Sequence, residues 1–401
     1  GYSLTVSDSN GVTNSGAAGS VTINITGSAP ANGTYPLITY SGALQGSGFS
    51  AYVLGTTPAG KTYALDDTGS VVQLVVTSAY TWTGAQTSEW STATIAGLKN
   101  WALDGSPADY ANDFAVVFDD TPTNKIVNIT GADVTPYSVL FNSGDYTLQS
   151  TTSNKIAGSA PVTVAFGATL KLGSSNVLPD GSGAGNLTVD GTLDLNGNSE
   201  TINGFSGIGS VDNTAAATTS ILTVGTIAGG NATGTIQNTG GTLALTKTGA
   251  TDFTLSGANT YNGATTVNQN RLFISNSAAF SPNTAVTVNN GASFVLNASG
   301  TPTFAQSITL NSVSNLSLRQ AATLSNVILP TSGGVIFNND DVATQAFSLN
   351  SDVTLGGSLN VQIGGGTGAP GTVTLAGILS GSGSLVKSGS GTLSLSGLNS
   401  F

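Results

Sequence analysis

Residues 245–261 read LTKTGATDFTLSGANTY, and residues 385–401 read LVKSGSGTLSLSGLNSF. The two stretches align without a gap at an offset of 140 residues, and the chain therefore contains an internal repeat. Because the second copy stops where the first runs on into NGATTVNQNRLFIS (262–275), we expect a longer parent chain or completion by a neighbour. Tyr261 is matched by Phe401, and the identical pairs are Leu245/Leu385, Lys247/Lys387, Gly249/Gly389, Leu255/Leu395, Ser256/Ser396, Gly257/Gly397 and Asn259/Asn399.

The alternation of apolar and polar residues inside this repeat extends through most of the chain. Examples are LKL (170–172), LTV (187–189), LDL (193–195), VTV (286–288) and FSL (347–349). Each triplet points two apolar side chains one way and a polar one the other way, as in a strand buried on one face. Gly, Asn, Ser and Asp separate the triplets and supply turns. The pattern predicts many very short strands.

Short strands without helices to cover a broad sheet favour a coil that stacks on itself. A rung of about 20–25 residues over 136–401 would give roughly a dozen rungs, or about 60 Å at ~4.8 Å per rung. Apolar residues from successive rungs would then share one core. The predicted fold is all-β: a parallel β-helix (β-solenoid), with right-handed winding favoured, preceded by a β-rich N-terminal segment.

The composition excludes several classes of function. Only 7% of the residues are charged, and the chain has 54 glycines and no cysteine, methionine or histidine. Without histidine or cysteine, Ser-His-Asp, Cys-His and common zinc sites cannot form within this chain. The formal net charge of −11 argues against binding to nucleic acids and to anionic membranes. No apolar stretch reaches the ~20 residues of a membrane-spanning helix.

The N-terminal third differs from the rest of the sequence. We predict a β-rich segment at 1–79 that ends one repeat block, a tryptophan-containing junction or cap at 80–135, and a β-solenoid at 136–401. An ordinary surface loop is the alternative for 80–125. The stretch GLKNWALDGSPADYANDF (97–114) is densest in charge and aromatic residues and is where we expect a short helix.

Residues 245–267 (LTKTGATDFTLSGANTYNGATTV) and 385–401 resemble the autotransporter-associated β-strand repeat of bacterial passenger domains. The usual form of that repeat is a Lys-x-Gly turn, a Thr-Leu-x-Leu-Ser-Gly strand, Asn-Thr-Tyr and Gly-x-Thr-x-Val. Residues 191–213 are similar to a rung between such repeats, and 35–101 more loosely resemble the join between repeat blocks. The resemblance implies a parallel β-helix, secretion to the cell surface, and a stalk, adhesin or fibre role.

Residues 55–62, GTTPAGKT, satisfy the phosphate-loop pattern through Gly55, Gly60, Lys61 and Thr62, and FAVVFDD (114–120) could pass for the matching magnesium-binding strand. A phosphate loop must open a helix whose N-terminal amides hold the phosphates. Here YALDDTGSVVQLVV (63–76) follows, which predicts a turn and a strand. We therefore interpret GTTPAGKT as a turn between strands and FAVVFDD as a strand that ends at an acidic turn.

The acidic residues are expected to be solvated at turns. A weak calcium site or polysaccharide cleavage is the alternative and would require carboxylates gathered on one face. The candidates are the pairs Asp66/Asp67, Asp119/Asp120 and Asp340/Asp341, and the two glutamates Glu89 and Glu200.

Two further groups of side chains have competing interpretations. Tyr40, Tyr52, Tyr80 and Trp82 could bind carbohydrate, or they could plug the junction between two stacks, which we favour. Asn residues of glycosylation-type sequons are expected to stack in ladders at rung turns rather than to carry glycans. These are Asn24, Asn32, Asn128, Asn186, Asn231, Asn297 and Asn315.

Together these observations predict an extracellular structural β-solenoid that acts as a rigid stalk, adhesin spacer or fibre subunit on a bacterial surface. We expect no enzymatic activity, catalytic residue, metal or cofactor. The expected partner is another copy of the chain, end to end, or its own continuation, with contact to a surface glycan or cell as a further option. The alternative is a β-helix that binds or degrades polysaccharide.

Overall fold

The computed structural model describes residues 4–8, 10–58, 60–181, 183–225, 230–279, 281, 284–289, 291–300, 302–311, 313–320, 322–328, 335–339, 346–364 and 371–401. The fold is all-β and forms a parallel β-solenoid, which confirms the predicted fold class. Two short 3-10 turns, Gly48–Ala51 and Ser277–Ala279, interrupt the strands of this described part.

The solenoid is three-sided, and its first side runs from β8 to β43. Its sheet breaks only between β21 and β24, where the single bridge Gly207↔Ala232 joins the two halves. Its strands are β8 (Val71–Trp82), β12 (Ala115–Phe118), β14 (Ser138–Phe141), β16 (Val162–Val164), β18 (Leu187–Val189), β21 (Phe205–Ser206), β24 (Gly230–Ala232), β27 (Phe253–Leu255), β29 (Arg271–Ile274), β31 (Ser293–Leu296), β34 (Asn315–Leu318), β37 (Val335–Asn339), β40 (Ser358–Ile363) and β43 (Ser384–Ser388).

The other two sides carry the second and third strands of each rung. The second side contains β9 (Glu89–Trp90), β13 (Ile126–Ile129), β15 (Asp145–Gln149), β17 (Thr169–Leu172), β19 (Thr192–Asp194), β22 (Ser210–Asp212), β25 (Thr235–Ile236), β32 (Thr303–Phe304), β35 (Ala322–Leu324), β38 (Ala346–Leu349), β41 (Thr372–Leu375) and β44 (Thr392–Leu395). The third side contains β20 (Glu200–Ile202), β23 (Thr219–Val224), β26 (Thr242–Lys247), β28 (Thr265–Val267), β30 (Val286–Val288), β33 (Ile308–Leu310), β36 (Val327–Ile328), β39 (Val353–Leu355) and β42 (Leu379–Gly381).

Successive rungs pair in parallel and in register. From β12 onward the offset between paired residues ranges from 18, as in Leu187↔Phe205, to 26, as in Leu359↔Leu385. The predicted 20–25 residues lie inside that range. In-register pairing places apolar side chains of equivalent triplets directly above one another, and one buried cluster extends from Tyr80 to Leu379. Each fully buried Val, Leu or Ile in it contributes about 1.5–3 kcal/mol.

The N-terminal part consists of two further rungs joined to the main stack by antiparallel pairing. Strands β1 (Leu4–Val6), β2 (Val12–Asn14) and β3 (Val21–Ile23) pair in parallel with β4 (Gly33–Tyr40), β5 (Leu44–Gly46) and β6 (Tyr52–Leu54). Strand β8 then pairs antiparallel with β4 and with β7 (Lys61–Asp67), and parallel with β12. The division at 79/80 and 135/136 stays a prediction, and β8 runs through the first of these boundaries.

The short helix expected within 97–114 was wrong. This stretch contains the antiparallel strands β10 (Trp101–Leu103) and β11 (Ser106–Ala108), with Leu103 paired to Ser106. Asp104 and Gly105 form the two-residue loop and both have positive φ, 50° and 83°. An Asp-Gly loop of this kind matches the twist of a hairpin. The local turn chemistry decided the structure, and the density of charged and aromatic residues did not.

Candidate functional site

The loop GTTPAGKT and the acidic turn after FAVVF line the same cleft. The loop lies between β6 and β7, whereas Asp119 and Asp120 follow β12, and the cleft between them has a volume of about 720 Å³. The sequence thus contains two segments that meet in space. Their chemistry is nevertheless unlike that of a phosphate loop.

Lys61 is already engaged by protein groups and does not open a helix. It is the first residue of strand β7, and its Nζ lies 3.2 Å from the Asp104 carboxylate and 2.5 Å from Asn32 Oδ1. A phosphate loop depends on helix N-terminal amides and on a free lysine. The loop is a turn between strands, as expected, with Gly60 in the positive-φ region at 88°.

The four aromatic residues with two competing interpretations are all buried. Tyr80 and Trp82 belong to the main core, while Tyr40 and Tyr52 belong to a small cluster of the N-terminal rungs. Trp82 packs edge-on against Trp101 at 4.9 Å, and the Trp82 indole N–H donates to the Asn124 carbonyl at 2.8 Å. The Tyr80 and Trp82 rings fill the first rung of the main stack, and the Tyr40 and Tyr52 rings pack in the N-terminal rungs. The interpretation of these four residues as a carbohydrate-binding site is therefore wrong.

The aspartates of the first two acidic pairs lie at the surface. Asp66 accepts a hydrogen bond from Gln73, and Asp67 accepts one from the Tyr40 hydroxyl. Burial, and after it the hydrogen bond to Asp67, raises the pKa of Tyr40 to about 12. Asp340 and Asp341 lie outside the described residues. Within the described ranges no three acidic side chains gather closely enough to hold a metal ion.

Glu200 contradicts the expectation that the acids are solvated, because its side chain is only 1% exposed. Its carboxyl accepts backbone N–H groups of Val177 at 3.0 Å and Leu178 at 3.4 Å, one rung below. Burial raises the pKa of Glu200 to about 8, these N–H donors and that of Thr201 oppose the shift, and Asp180 adds to it. Strand β20 is the first strand of the third side of the solenoid. The Glu200 carboxyl therefore accepts N–H groups of the rung below at this end of the sheet, a role that strand carbonyls have elsewhere on this side.

Sequence analysis also missed Lys247, which lies in the first repeat and is fully buried. Its ammonium donates to the carbonyls of Thr248 at 2.6 Å and Gly249 at 3.2 Å in its own turn, and of Gln269 at 3.3 Å in the next rung. Burial lowers the pKa of Lys247 to about 8, and the Asp252 carboxylate opposes this shift. The Lys-x-Gly element of the repeat is thus a contact between rungs.

Asn259 is the second rung-bridging group of the repeat. Its amide oxygen accepts the Ile236 N–H at 2.8 Å from the rung below, and its amide nitrogen donates to the Ala279 carbonyl at 2.7 Å in the rung above. An asparagine side chain carries both donor and acceptor, so one residue can satisfy two buried backbone groups.

A three-residue asparagine ladder lies outside the sequons, and one sequon residue, Asn186, accepts from Asn203 of the next rung at 3.2 Å. Asn289 donates to Asn268 and Asn311 donates to Asn289, each at 2.6 Å. Two other sequon residues bond to different groups of the neighbouring rung: Asn231 Oδ1 accepts from the Ser256 hydroxyl, and Asn128 Oδ1 accepts from the Thr151 N–H. Asparagines thus pair between rungs as predicted, at Asn186 among the sequon residues and in a longer ladder outside them.

Comparisons with known proteins identify the repeat. The model of the passenger-associated-transport-repeat family matches residues 245–269 and 385–401. No curated protein and no solved structure matches the chain. In the described ranges, no helix has the length and apolar character needed to cross a membrane. The chain therefore carries two copies of the passenger-associated transport repeat, the repeat of autotransporter passenger domains, within a β-solenoid.

Proposed function

We propose that this β-solenoid is the rigid shaft of a secreted protein displayed on a bacterial cell surface. The observation that carries the proposal is the in-register stacking of rungs around one continuous core from Tyr80 to Leu379. Because each rung shares its backbone hydrogen bonds and its apolar residues with both neighbours, bending at one point would disrupt a ladder on every side. The passenger repeats support surface display, since passenger domains are secreted.

Rigidity can be measured as a distance between two points on the shaft. The chain has no cysteine, so spin labels at Phe166→Cys and Val386→Cys would be unique. Both positions are exposed, at 85% and 45%, and ten strand-to-strand steps of the first side separate β16 from β43. At ~4.8 Å per step, electron–electron double resonance should give a narrow distance distribution centred at roughly 50 Å. A broad distribution, or one centred far below 40 Å, would contradict a rigid shaft.

We also propose that shafts associate end to end. The last described rung exposes Leu395 at 40%, Leu398 at 88% and Phe401 at 48%, and the first rung, β1 to β3, has a free edge on the opposite end. The first rung has three strands, and the last has β43, β44 and the bridge of Ser400 to Ser380. A head-to-tail contact between these two ends could repeat without closing. Sedimentation velocity should show concentration-dependent growth that Leu398→Asp abolishes. A species that stays monomeric up to the solubility limit would refute this contact.

A further inference from the structure

The rigidity of the shaft does not depend on the cleft between the GTTPAGKT loop and the acidic turn. Its floor is the outer face of β7, β8, β12, β14 and β16, because paired residues of neighbouring strands point the same way. Thr62 is opposite Thr77, and Val117 is opposite Leu140, which in turn is opposite Thr163. These side chains alternate with those of the core, so the floor is mixed, with threonine hydroxyls beside aliphatic groups.

Two walls rise from this floor. One is the loop that contains Thr57 and Pro58, and the other is the acidic turn together with Asn142 and Ser143 of the next rung. Backbone bonds hold the second wall in place: Asn142 N–H donates to the Phe118 carbonyl at 2.8 Å, and Asp120 N–H donates to the Ser143 hydroxyl at 3.1 Å. Its geometry is thus set by rung stacking before any ligand arrives.

Tyr137 supplies an exposed ring at the cleft. It immediately precedes β14, lines the cleft, and is 72% exposed, whereas the aromatic residues of the first rung are buried. A tyrosine offers an apolar face and a polar edge, which suits ligands that are themselves part apolar and part hydrogen-bonding. Because the Tyr137 ring is exposed, it does not contribute to the packing of the core.

The charges of the cleft select against anions. Asp119 and Asp120 take part in none of the ion pairs among the described residues, and the only lysine of the cleft lining, Lys61, is paired with Asp104. Asp119 Oδ1 accepts from the Thr121 N–H at 3.0 Å and hydroxyl at 2.6 Å, and this turn leaves its second oxygen available. Two carboxylates in a cleft whose lining lysine is already paired would repel phosphate, sulfate or uronate groups.

We propose that this cleft binds a neutral oligosaccharide. A neutral sugar ring presents C–H groups that pack on the Tyr137 ring, and hydroxyls that donate to Asp120 and Asp119 and exchange hydrogen bonds with Asn142. Hydroxyl donors to a carboxylate make charge-assisted bonds, which are stronger than neutral ones. A volume of about 720 Å³ lies in the range of ligand sites.

The test is binding of defined neutral tetrasaccharides, namely cello-, malto-, manno- and chitotetraose, to the full chain by isothermal titration calorimetry. At least one should bind, Tyr137→Ala should weaken it tenfold or more, and Asp120→Asn should weaken it several-fold. Phe166→Ala is the matched control, because Phe166 is an exposed ring outside the cleft, at 85% exposure, and its removal should leave affinity unchanged. Thermal melts establish that each variant is folded.

Several outcomes would overturn the proposal. These are no binding by any of the four sugars, equal affinity in Tyr137→Ala and the wild type, or tighter binding of tetragalacturonate than of the neutral probes. Calcium binding that Asp120→Asn abolishes, in the absence of sugar binding, would replace the sugar site by a cation site. Because the spin-label distance does not depend on the cleft, failure here would leave the proposed shaft untouched.

Discussion

The two passenger repeats have similar sequences and different surroundings. In the first copy Lys247 is fully buried and Asn259 is 2% exposed, whereas in the second copy the equivalent Lys387 and Asn399 are exposed. Both copies make the bond to the rung below, since Asn399 Oδ1 accepts the Leu379 N–H at 2.9 Å, as Asn259 does from Ile236. Only the first copy has a described rung above it. The repeat therefore encodes contacts to both neighbouring rungs.

The aromatic end of the repeat shows the same contrast. Tyr261 is fully buried and its hydroxyl shares a hydrogen bond with Thr265 Oγ1 at 2.6 Å, while Phe401 is 48% exposed. If the rung above causes the difference, equivalent substitutions should be costly in the first copy and mild in the second. The following predictions test this explanation.

The largest difference is expected for the aromatic pair. Tyr261→Ala removes a fully buried ring and its hydroxyl bond and should lower the free energy of unfolding by about 3–5 kcal/mol. Phe401→Ala should cost less than about 1 kcal/mol, because much of its ring already contacts water. Urea unfolding followed by circular dichroism measures both. Equal losses would show that the second copy is covered as well as the first, for example by a neighbouring molecule, and dilution would separate that case.

A second prediction concerns pH, where the buried Glu200 and Lys247 act in opposite directions. Glu200 has its pKa raised from 4.5 to about 8. Its contribution to the free energy of unfolding is therefore fully present below pH 4.5 and is lost as the pH rises to 8. Lys247 has its pKa lowered from 10.5 to about 8, so stability is regained as the pH rises from 8 toward 10.5. With no histidine in the chain, stability should pass through a minimum near pH 8.

On each side of that minimum the free energy of unfolding should rise by roughly 2–4 kcal/mol, since one pKa unit corresponds to about 1.4 kcal/mol. Unfolding free energies measured from pH 5 to 9.5 stay below most tyrosine ionisation. Glu200→Gln should flatten the acidic side and Lys247→Met the alkaline side, whereas Lys387→Met should leave the profile unchanged. A profile in which Lys387→Met acts like Lys247→Met would remove the distinction between the copies.

The asparagine pair should give a smaller difference. Asn259→Ala leaves the Ile236 N–H and the Ala279 carbonyl without their partner inside the core, at a cost of about 2–3 kcal/mol. Asn399→Ala releases one bond at the surface and should cost about 0.5–1 kcal/mol. Hydrogen exchange of the amides of Ile236 and Leu379 reports each site directly. Equal loss of protection at both amides would mean that the upward bond of Asn259 contributes nothing.

The sequence could predict the strands and their stacking but not the rung-bridging groups. Alternating triplets such as LTV (187–189) and LAL (243–245) report which face is buried, and the repeat of 245–261 reports stacking, so the fold followed from local pattern. Lys247 and Glu200 could not be predicted, because isolated Lys and Glu are almost never fully buried. Their partners lie 22 and 23 residues away in sequence, as Gln269 and Val177, and only the register brings them together.

The cleft is the opposite case, in which two segments of one sequence pattern meet for a reason that the pattern does not contain. The GTTPAGKT loop and Asp119 and Asp120 were considered together because of a phosphate-loop pattern. They do meet, but because β8 pairs antiparallel with β7 and parallel with β12. The two segments meet through β8, and neither segment's sequence alone indicates that β8 pairs antiparallel with one of them and parallel with the other. The turn at Asp104-Gly105, by contrast, follows from its own two residues, since Asp-Gly is a common two-residue hairpin loop.

The smallest effect concerns a difference in sequence between the copies. In the first copy Asp252 pairs with Arg271, with Nε–Oδ1 at 2.9 Å and Nη2–Oδ2 at 2.6 Å, and the second copy has Thr392 at the equivalent position. The Arg271 side chain is 43% exposed and the Asp252 side chain 35% exposed. Asp252→Thr should therefore lower the free energy of unfolding by less than about 1 kcal/mol, and by less still in 0.5 M salt. A loss above about 2 kcal/mol that persists in salt would show that sequence, rather than the rung above, makes the first copy the more stable one.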